Sequence, residues 1–368
     1  MNLRMVERIV NSVLYEGYIL YPYRASSVKN RQRFNFGALY PESYSVAQKG
    51  TDAWSMQTEC LVTSGSRAAI DVKVRFLHLL AREVRARVAD RGMRIEDYSE
   101  ENFQAVESLE VGGQLFQTWQ EAVEREVSVP TLNLDELAAE PQRLTFSFPS
   151  RREMEPLRDA SDKLVGVIVR KQQPIEGTVE LRAARIPDPQ SARPASGYPD
   201  PQLFKVSARI LNLTALEDGK LQSRDDALMQ SLVSTHTILG VRGGEFVSLL
   251  DPPEAMREAA ASCRNEGAWP VLVGEGGERD CMLSSPIILY DYPQIAPESS
   301  GDLFDSTEID EILTLRIMTL TDEEKRAMRG VDERARQILE RTEALPFEQM
   351  MKMHGAVRGL RAIEEDEQ

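Results

Sequence analysis

The feature that most limits the fold is a strict alternation of apolar and charged side chains at 69–76. The apolar members are Ile70, Val72, Val74 and Phe76, and the charged members between them are Asp71, Lys73 and Arg75. A period of two is typical of a β-strand with one buried face. The segment that follows, 79–88, is ambiguous between strand and helix.

Further short strands are predicted along most of the chain, with turn residues between them. They are expected at 58–62, 143–148, 163–170, 177–183, 204–213, 269–273 and 284–290. Hairpins are expected at 108–117, around Gly112-Gly113, and at 232–250, around Gly243-Gly244. No parallel βαβ rhythm is present, so the pattern indicates antiparallel sheets in a sandwich-like arrangement or an open barrel.

Helices are predicted at both ends of the chain and, near 255–263, after Pro252-Pro253. The first, within 1–17, carries an apolar face at 3.6-residue spacing. That face consists of Val6, Ile9, Val10, Val13 and Leu14. In the C-terminal tail, Asp305 with Glu308 and Thr321 with Glu324 have the spacing of helix capping boxes. One helix is expected to run from Thr321 as far as Pro346, and a further one at 347–360.

The expected fold class is therefore α+β, with a mainly antiparallel β body, an N-terminal helix and a C-terminal helical tail. With 368 residues the chain is longer than one ordinary core supports. We divide it into an N-terminal helix and arm at 1–40, a β-rich body at 41–290 and an acidic loop with helical tail at 291–368. The Pro-rich connection 187–201 is the expected exposed boundary between two sub-domains of the body.

The charge and cysteine content exclude several classes of protein. The net charge of −15 repels phosphate backbones, so we expect no nucleic-acid partner. No window approaches an apolar run of about 18 residues, so we expect no membrane span. The start of the chain lacks the pattern of a secretion signal, and three cysteines form no disulfide framework. These features favour a cytoplasmic protein.

An aromatic and basic segment follows the first helix, and we call residues 18–37 the arm. Its aromatic and cationic side chains suit stacking and the capture of carboxylate or phosphate. The predicted binding residues of the arm are Tyr21, Tyr23, Arg24, Lys29, Arg31 and Arg33. Two alternatives are that the arm packs across a sheet with its charges in solvent, or that it docks on an acidic stretch of the same chain.

That acidic stretch is 291–311, which contains no Lys or Arg. Some of its acids are explained by the preference of helix N-termini for negative charge, as at Asp305 and Glu308. The stretch lacks the alternating Asp pattern of a calcium loop. The residues left over, on a proline-bounded loop, are predicted to bind a partner: Asp291, Glu298 and Asp302.

Catalytic and metal signatures are missing from the sequence. There is no Walker A motif, no dinucleotide fingerprint, no G-x-S-x-G and no H-E-x-x-H. His236 and His78 are interpreted as strand histidines that hydrogen-bond to a neighbour. Cys263 and Cys281 lack the spacing of zinc ligands, and the Met and His side chains at 350–354 are interpreted as packing. We expect no catalytic residue, no cofactor and no metal.

Three segments together resemble a known group of proteins. Residues 15–37, 269–274 and 284–325 resemble uncharacterised bacterial proteins encoded beside nickel–iron hydrogenase genes of the actinobacterial, high-affinity type. The resemblance carries no established activity and implies an accessory or assembly role. Metal-delivery factors usually cluster Cys or His, which this chain does not, so a scaffold or chaperone role is favoured.

Three functional hypotheses follow. The first is a non-catalytic accessory protein that binds a protein partner, such as a hydrogenase subunit, a maturation factor or a second copy of the chain. The second is an enzyme of unrecognised type with a site between the arm and the 291–302 loop. Its candidate residues are Tyr23, Arg24, Asp291 and Glu298. The third is a β-sandwich module that binds a small ligand or sugar through Trp54, Trp119 or Trp269. The lack of catalytic motifs favours the first.

Overall fold

The fold is α+β with a mainly antiparallel β body, which confirms the predicted class. The computed structural model describes residues 3–15, 36–88, 102–187, 202–216, 223–294, 317–330 and 333–346. The strands are β1 (Ser55–Arg87), β2 (Phe103–Val106), β3 (Ser108–Val111), β4 (Gln114–Gln117), β5 (Trp119–Asn133), β6 (Gln142–Phe148), β7 (Arg151–Arg158), β8 (Leu164–Gln172), β9 (Ile175–Ile186), β10 (Gln202–Asn212), β11 (Val233–Val247), β12 (Trp269–Leu272) and β13 (Cys281–Ser285). The helices are α1 (Leu3–Leu14), α2 (Glu42–Ala47), α3 (Leu134–Ala139), α4 (Arg224–Leu228), α5 (Arg257–Ala261), α6 (Asp322–Arg329) and α7 (Glu333–Glu343).

The centre of the sheet is β1, a single strand of 33 residues. It joins the runs predicted separately at 58–62 and 69–76, and the ambiguous segment 79–88 is strand as far as Arg87. Different strands pair with it along its length: β10 and β11 first, then β11 and β5, then β8 and β2. Its alternating apolar residues are buried, as the period of two predicted.

Eleven strands form one curled, half-barrel sheet around this strand. The order along the main path is β12-β13-β11-β1-β10-β9-β6, and β2, β5, β7 and β8 join beside it. The main core lies inside the curl and includes Phe76, Phe204 and Phe246, each at most 1% exposed. Strands β9 and β10 flank the predicted boundary 187–201 and pair with each other in this sheet. The division of the chain into domains stays a prediction.

The predicted hairpin at Arg242-Gly243-Gly244 is wrong. The chain does not reverse there, because residues on both sides of the glycines pair with the same neighbour, β1. The register shifts between the pairs Ser64–Gly244 and Ala69–Arg242, which marks a bulge in the ladder. Gly243 has a φ of +72°, a conformation that glycine adopts without strain. The other predicted hairpin is confirmed, with β3 and β4 joined by Gly112-Gly113.

The predicted strand at 284–290 is also displaced. Strand β13 ends at Ser285, and Pro286, which has no N–H to donate to a ladder, begins an irregular segment. We call residues 286–292 the strap. In the part of the chain that the structure describes, the backbone groups of 288–290 make no backbone hydrogen bond.

The N-terminal helix and part of the C-terminal tail form as predicted. The apolar face of α1 is buried against β11 and β13, with Ile9 1% exposed and Val13 0% exposed. The capping box before α6 is present, because Thr321 N–H donates to Glu324 Oε2 at 2.9 Å and Glu324 N–H donates to Thr321 Oγ1 at 3.2 Å. The single helix expected after it is two helices, α6 and α7. None of the described helices is both long and apolar enough to span a membrane.

Candidate functional site

Asp291 is the one predicted binding residue that lies in the described part of the chain. The others lie outside the described residues: Tyr21, Tyr23, Arg24, Lys29, Arg31, Arg33, Glu298 and Asp302. The described part of the candidate site therefore consists of the residues at which the arm and the acidic stretch join the sheet.

The carboxylate of Asp291 holds the strap against β12, at the edge of the described sheet. Its Oδ1 accepts a hydrogen bond from Leu272 N–H at 2.8 Å, and its Oδ2 accepts one from Ser248 Oγ at 2.5 Å. Beside it, Tyr292 N–H donates to Leu272 C=O at 2.7 Å. A carboxylate is a strong acceptor for such bonds. Asp291 and Tyr292 together satisfy the N–H and C=O of Leu272, groups that a further strand could otherwise pair. This is a positioning role for the strap.

The returning end of the arm lies against the start of the strap. Ser234 N–H donates to Phe36 C=O and Thr235 N–H donates to Gly37 C=O, each at 3.1 Å. Gly37 has a φ of +52°, and a Cβ there would lie 2.5 Å from Pro286 Cβ. The arm therefore rejoins the body at β11, in direct contact with the residue that begins the strap.

Side chains along the strap alternate between the core and solvent. Leu289 is 2% exposed and packs with Val271 and Leu283 in the cluster that also receives α1. Ile288 is 70% exposed and Tyr290 is 82% exposed. We call Ile288 and Tyr290 the apolar ridge. Because the buried residue between them fixes the strap to the sheet, the ridge points to solvent from an anchored backbone.

His236 lies in a buried polar row on β11. It is 0% exposed, and its Nε2 is 3.1 Å from the Oγ of Ser234, as expected for a strand histidine that bonds a neighbour. Burial, with the charge of Arg75 nearby, lowers its pKa to about 3. A pair of hydroxyls in the same sheet, Thr58 Oγ1 and Ser284 Oγ at 2.6 Å, is also buried. A base that is fully enclosed and stays neutral cannot reach a substrate, so His236 acts in the packing of the sheet.

The other histidine and the cysteines also lie in packed surroundings. His78 Nε2 is 2.9 Å from the Gln173 carbonyl, and burial lowers its pKa to about 4. Cys60 and Cys281 are buried, and burial raises the pKa of the Cys263 thiol to about 11. Within the described ranges, no group of three or more His, Cys, Asp or Glu side chains could hold a metal ion.

The tryptophans proposed for a sugar site lie in different surroundings. Arg209 covers the ring of Trp54, with its guanidinium carbon 5.5 Å from the ring centroid. Trp119 packs with Ile317 and Leu339 of the C-terminal part. Trp269 is 45% exposed at the start of β12. The three rings therefore do not share one cluster.

Sequence reasoning missed a charged cleft on the outer face of β1, β10 and β9. Its volume is about 350 Å³. It is lined by Gln57, Glu59, Pro141, Glu180, Arg182, Ala183, Ala184, Lys205, Ser207 and Arg209. Each strand alone shows only the alternation of a half-exposed strand. The cleft becomes visible when the register places these side chains beside one another.

Comparison with known proteins does not identify a family. No family model matches the chain. No curated protein matches it either. Among solved structures, the chain is similar at 9% identity to the secretin InvG of the Salmonella SPI-1 type III secretion injectisome in the open gate state. That alignment covers 66% of this chain and spans 60% of the secretin chain, with a TM-score of 0.09. An overlap this weak carries no argument about fold or function.

Proposed function

We propose that this chain is a non-catalytic accessory protein that binds a protein partner through the apolar ridge. The observation that carries the proposal is the pair Ile288 and Tyr290, exposed at 70% and 82% on either side of the buried Leu289. Burying one such side chain contributes about 1.5–3 kcal/mol, and tyrosine is enriched among the residues that dominate protein interfaces.

The anchoring of the strap supports this role. The strap is held at one end where Pro286 meets Gly37 and at the other by the bonds of Asp291 and Tyr292 to Leu272. A ligand that binds a preformed surface loses less conformational entropy than one that must order a loop. Among the described residues, the backbone of 288–290 makes no backbone hydrogen bond, so it offers hydrogen-bonding groups beside the ridge, as in partners that add a strand.

The chemistry of the partner follows from charge. A net charge of −15 attracts a basic protein surface and raises the rate of encounter with it. The resemblance of the segments 15–37, 269–274 and 284–325 to proteins encoded beside hydrogenase genes suggests a hydrogenase subunit or maturation factor. We therefore propose an assembly role for the chain, with such a subunit as its partner.

The test is affinity purification of the full-length tagged chain from its native organism, quantified by mass spectrometry. We compare wild type with the double variant Ile288→Ser/Tyr290→Ser. Val46→Ser is the matched control, because Val46 is an apolar residue that is 67% exposed elsewhere on the body. Recovery of a hydrogenase subunit should fall by at least about tenfold in the double variant and stay unchanged in the control.

Two results would count against the proposal. If the double variant retains full recovery of the subunit, the ridge is not the binding surface. If no hydrogenase subunit or maturation factor is enriched over a tag-only control, the assignment of the partner fails. Light scattering of the purified chain checks a second copy as partner, since a dimer that dissociates only in the double variant would replace the hydrogenase assignment.

A further inference from the structure

The charged cleft on the outer face of the sheet has the size of a small-molecule site. Its volume of about 350 Å³ lies within the range of roughly 300–1,000 Å³ that is common for ligand pockets. The outward side chains of three adjacent strands form its base, and Pro141, Ala183 and Ala184 supply apolar wall. The cleft lies on the β9–β10 side of β1, whereas the strap lies beside β12 and β13 on the other side.

The register brings two arginines of this cleft together. Ser207 of β10 is directly opposite Arg182 of β9, and Arg209 is opposite Glu180. Arg182 and Arg209 are therefore diagonal neighbours on one face, with Cβ atoms about 7 Å apart by the usual geometry of antiparallel pairs. Two guanidinium groups at this spacing reach one small anion between them.

Two of the remaining charged side chains of the cleft, Lys205 and Glu59, already have partners. Lys205 Nζ is 3.8 Å from Glu59 Oε2 and donates to the Ser262 carbonyl at 3.1 Å. Glu59 Oε2 also accepts a hydrogen bond from Arg264 N–H at 2.8 Å. The second carboxylate, Glu180, is directly opposite Arg209 and has a long contact, 3.9 Å from its Oε1 to Arg143 Nε.

The two arginines lack comparable partners. Among the described residues, the Arg182 side chain forms neither a hydrogen bond nor an ion pair, and the Ser207 hydroxyl forms no hydrogen bond; the backbones of both residues pair in the β9–β10 ladder. Arg209 has one long contact, 3.4 Å to Ser55 Oγ, and its guanidinium lies over the ring of Trp54. Stacking on an aromatic face orients a guanidinium while its N–H groups stay available in its plane.

From this arrangement we infer that the cleft binds a small molecule through an oxyanion, a carboxylate or a phosphate, held between Arg182 and Arg209. Both groups present oxygens in the geometry that guanidinium groups bind with paired hydrogen bonds. The Ser207 hydroxyl, directly opposite Arg182 and two residues from Arg209 on β10, donates a further hydrogen bond. The alanine and proline wall accommodates the organic part of the ligand.

The experiment is calorimetric titration of the full-length protein with inorganic phosphate and, separately, with glutarate at constant ionic strength. Saturable binding is expected for one or both, with Kd below about 10 mM. Binding of phosphate alone assigns a phosphorylated ligand, and binding of glutarate alone assigns a carboxylate. Absence of saturable binding for both overturns the inference.

Variants distinguish this site from general attraction of anions. Arg182→Gln should raise Kd by at least about tenfold. Arg185→Gln is the matched control, because Arg185 is an exposed arginine of the same strand. Its guanidinium forms an ion pair with Asp135 and lies over the ring of Phe204. Equal weakening in both variants refutes the site. Ser207→Ala is a second test that keeps every charge, and an unchanged Kd in both Ser207→Ala and Arg182→Gln also refutes it.

Discussion

Acid should destabilise this protein through His236, and the size of the effect follows from its burial. An unfolded chain leaves the histidine near its ordinary pKa of about 6.5, whereas burial in β11 lowers the pKa to about 3. Below pH 6.5 the unfolded state therefore binds a proton at His236, whereas the folded state does not bind it until the pH approaches 3. The free energy of unfolding therefore keeps its full value, as far as His236 is concerned, above pH 6.5. It decreases as the pH drops from 6.5 toward 3. At pH 5.0 the loss from His236 alone is about 2 kcal/mol.

The perturbation is His236→Gln, which keeps a polar side chain near Ser234 but does not titrate. The assay is urea unfolding at pH 7.5 and pH 5.0, followed by both fluorescence and circular dichroism so that a single cooperative transition is verified. Other groups titrate in both proteins, including His78 with its pKa of about 4, so their contributions cancel in the comparison.

Wild type should lose about 2 kcal/mol more than His236→Gln between the two pH values. The stability of the variant at pH 7.5 is not the readout, because the substitution also changes packing. Equal losses within about 0.5 kcal/mol would refute the reasoning, since they would mean that His236 titrates alike in the folded and unfolded states.

Two further predictions concern local geometry. Gly177→Ala should lower the free energy of unfolding, measured in the same urea assay, by about 1–3 kcal/mol, because the new Cβ would lie 2.3 Å from Phe146 Cζ. The control is Gly65→Ala, where no atom lies within 4 Å of the new Cβ. Thr321→Ala should destabilise α6 by about 1 kcal/mol through loss of its capping box, measured by amide hydrogen exchange across the helix, whereas Thr321→Ser should restore protection. Unchanged stability in Gly177→Ala, or unchanged exchange in Thr321→Ala, would contradict the corresponding prediction.

Local pattern predicted the strands whose faces differ in polarity and failed where pairing decides the structure. The alternation at 69–76 identifies a strand, but the continuity of β1 from Ser55 to Arg87 depends on partners along its two edges. Strand β5 was missed because most of its residues are charged, polar or only half-buried, and it is specified by its ladder with β1. At Gly243-Gly244 the sequence signal of a turn is the same as that of a bulge, and only the neighbouring strand distinguishes them.

The sequence also predicted the candidate surfaces only in part. Asp291 was selected because acids are concentrated after 290, whereas its observed role is to bond Leu272 and Ser248. The apolar ridge depends on which strap residues are buried, and the sequence shows only a continuous apolar run there. The cleft arginines, Arg182 and Arg209, are separated by the connection 187–201, so their proximity follows from the pairing of β9 with β10.

The packing of β11 connects the stability of the sheet with the surface proposed to bind a partner. The residues just before His236 hold the end of the arm through two backbone hydrogen bonds, and the arm then meets Pro286 at the start of the strap. Protonation of His236 therefore disturbs the strand on which one anchor of the apolar ridge depends. A partner that binds the ridge binds only the folded arrangement, so by mass action it stabilises β11 together with the strap. Partner binding and resistance to acid are then linked through one strand, although His236 itself does not contact the partner surface.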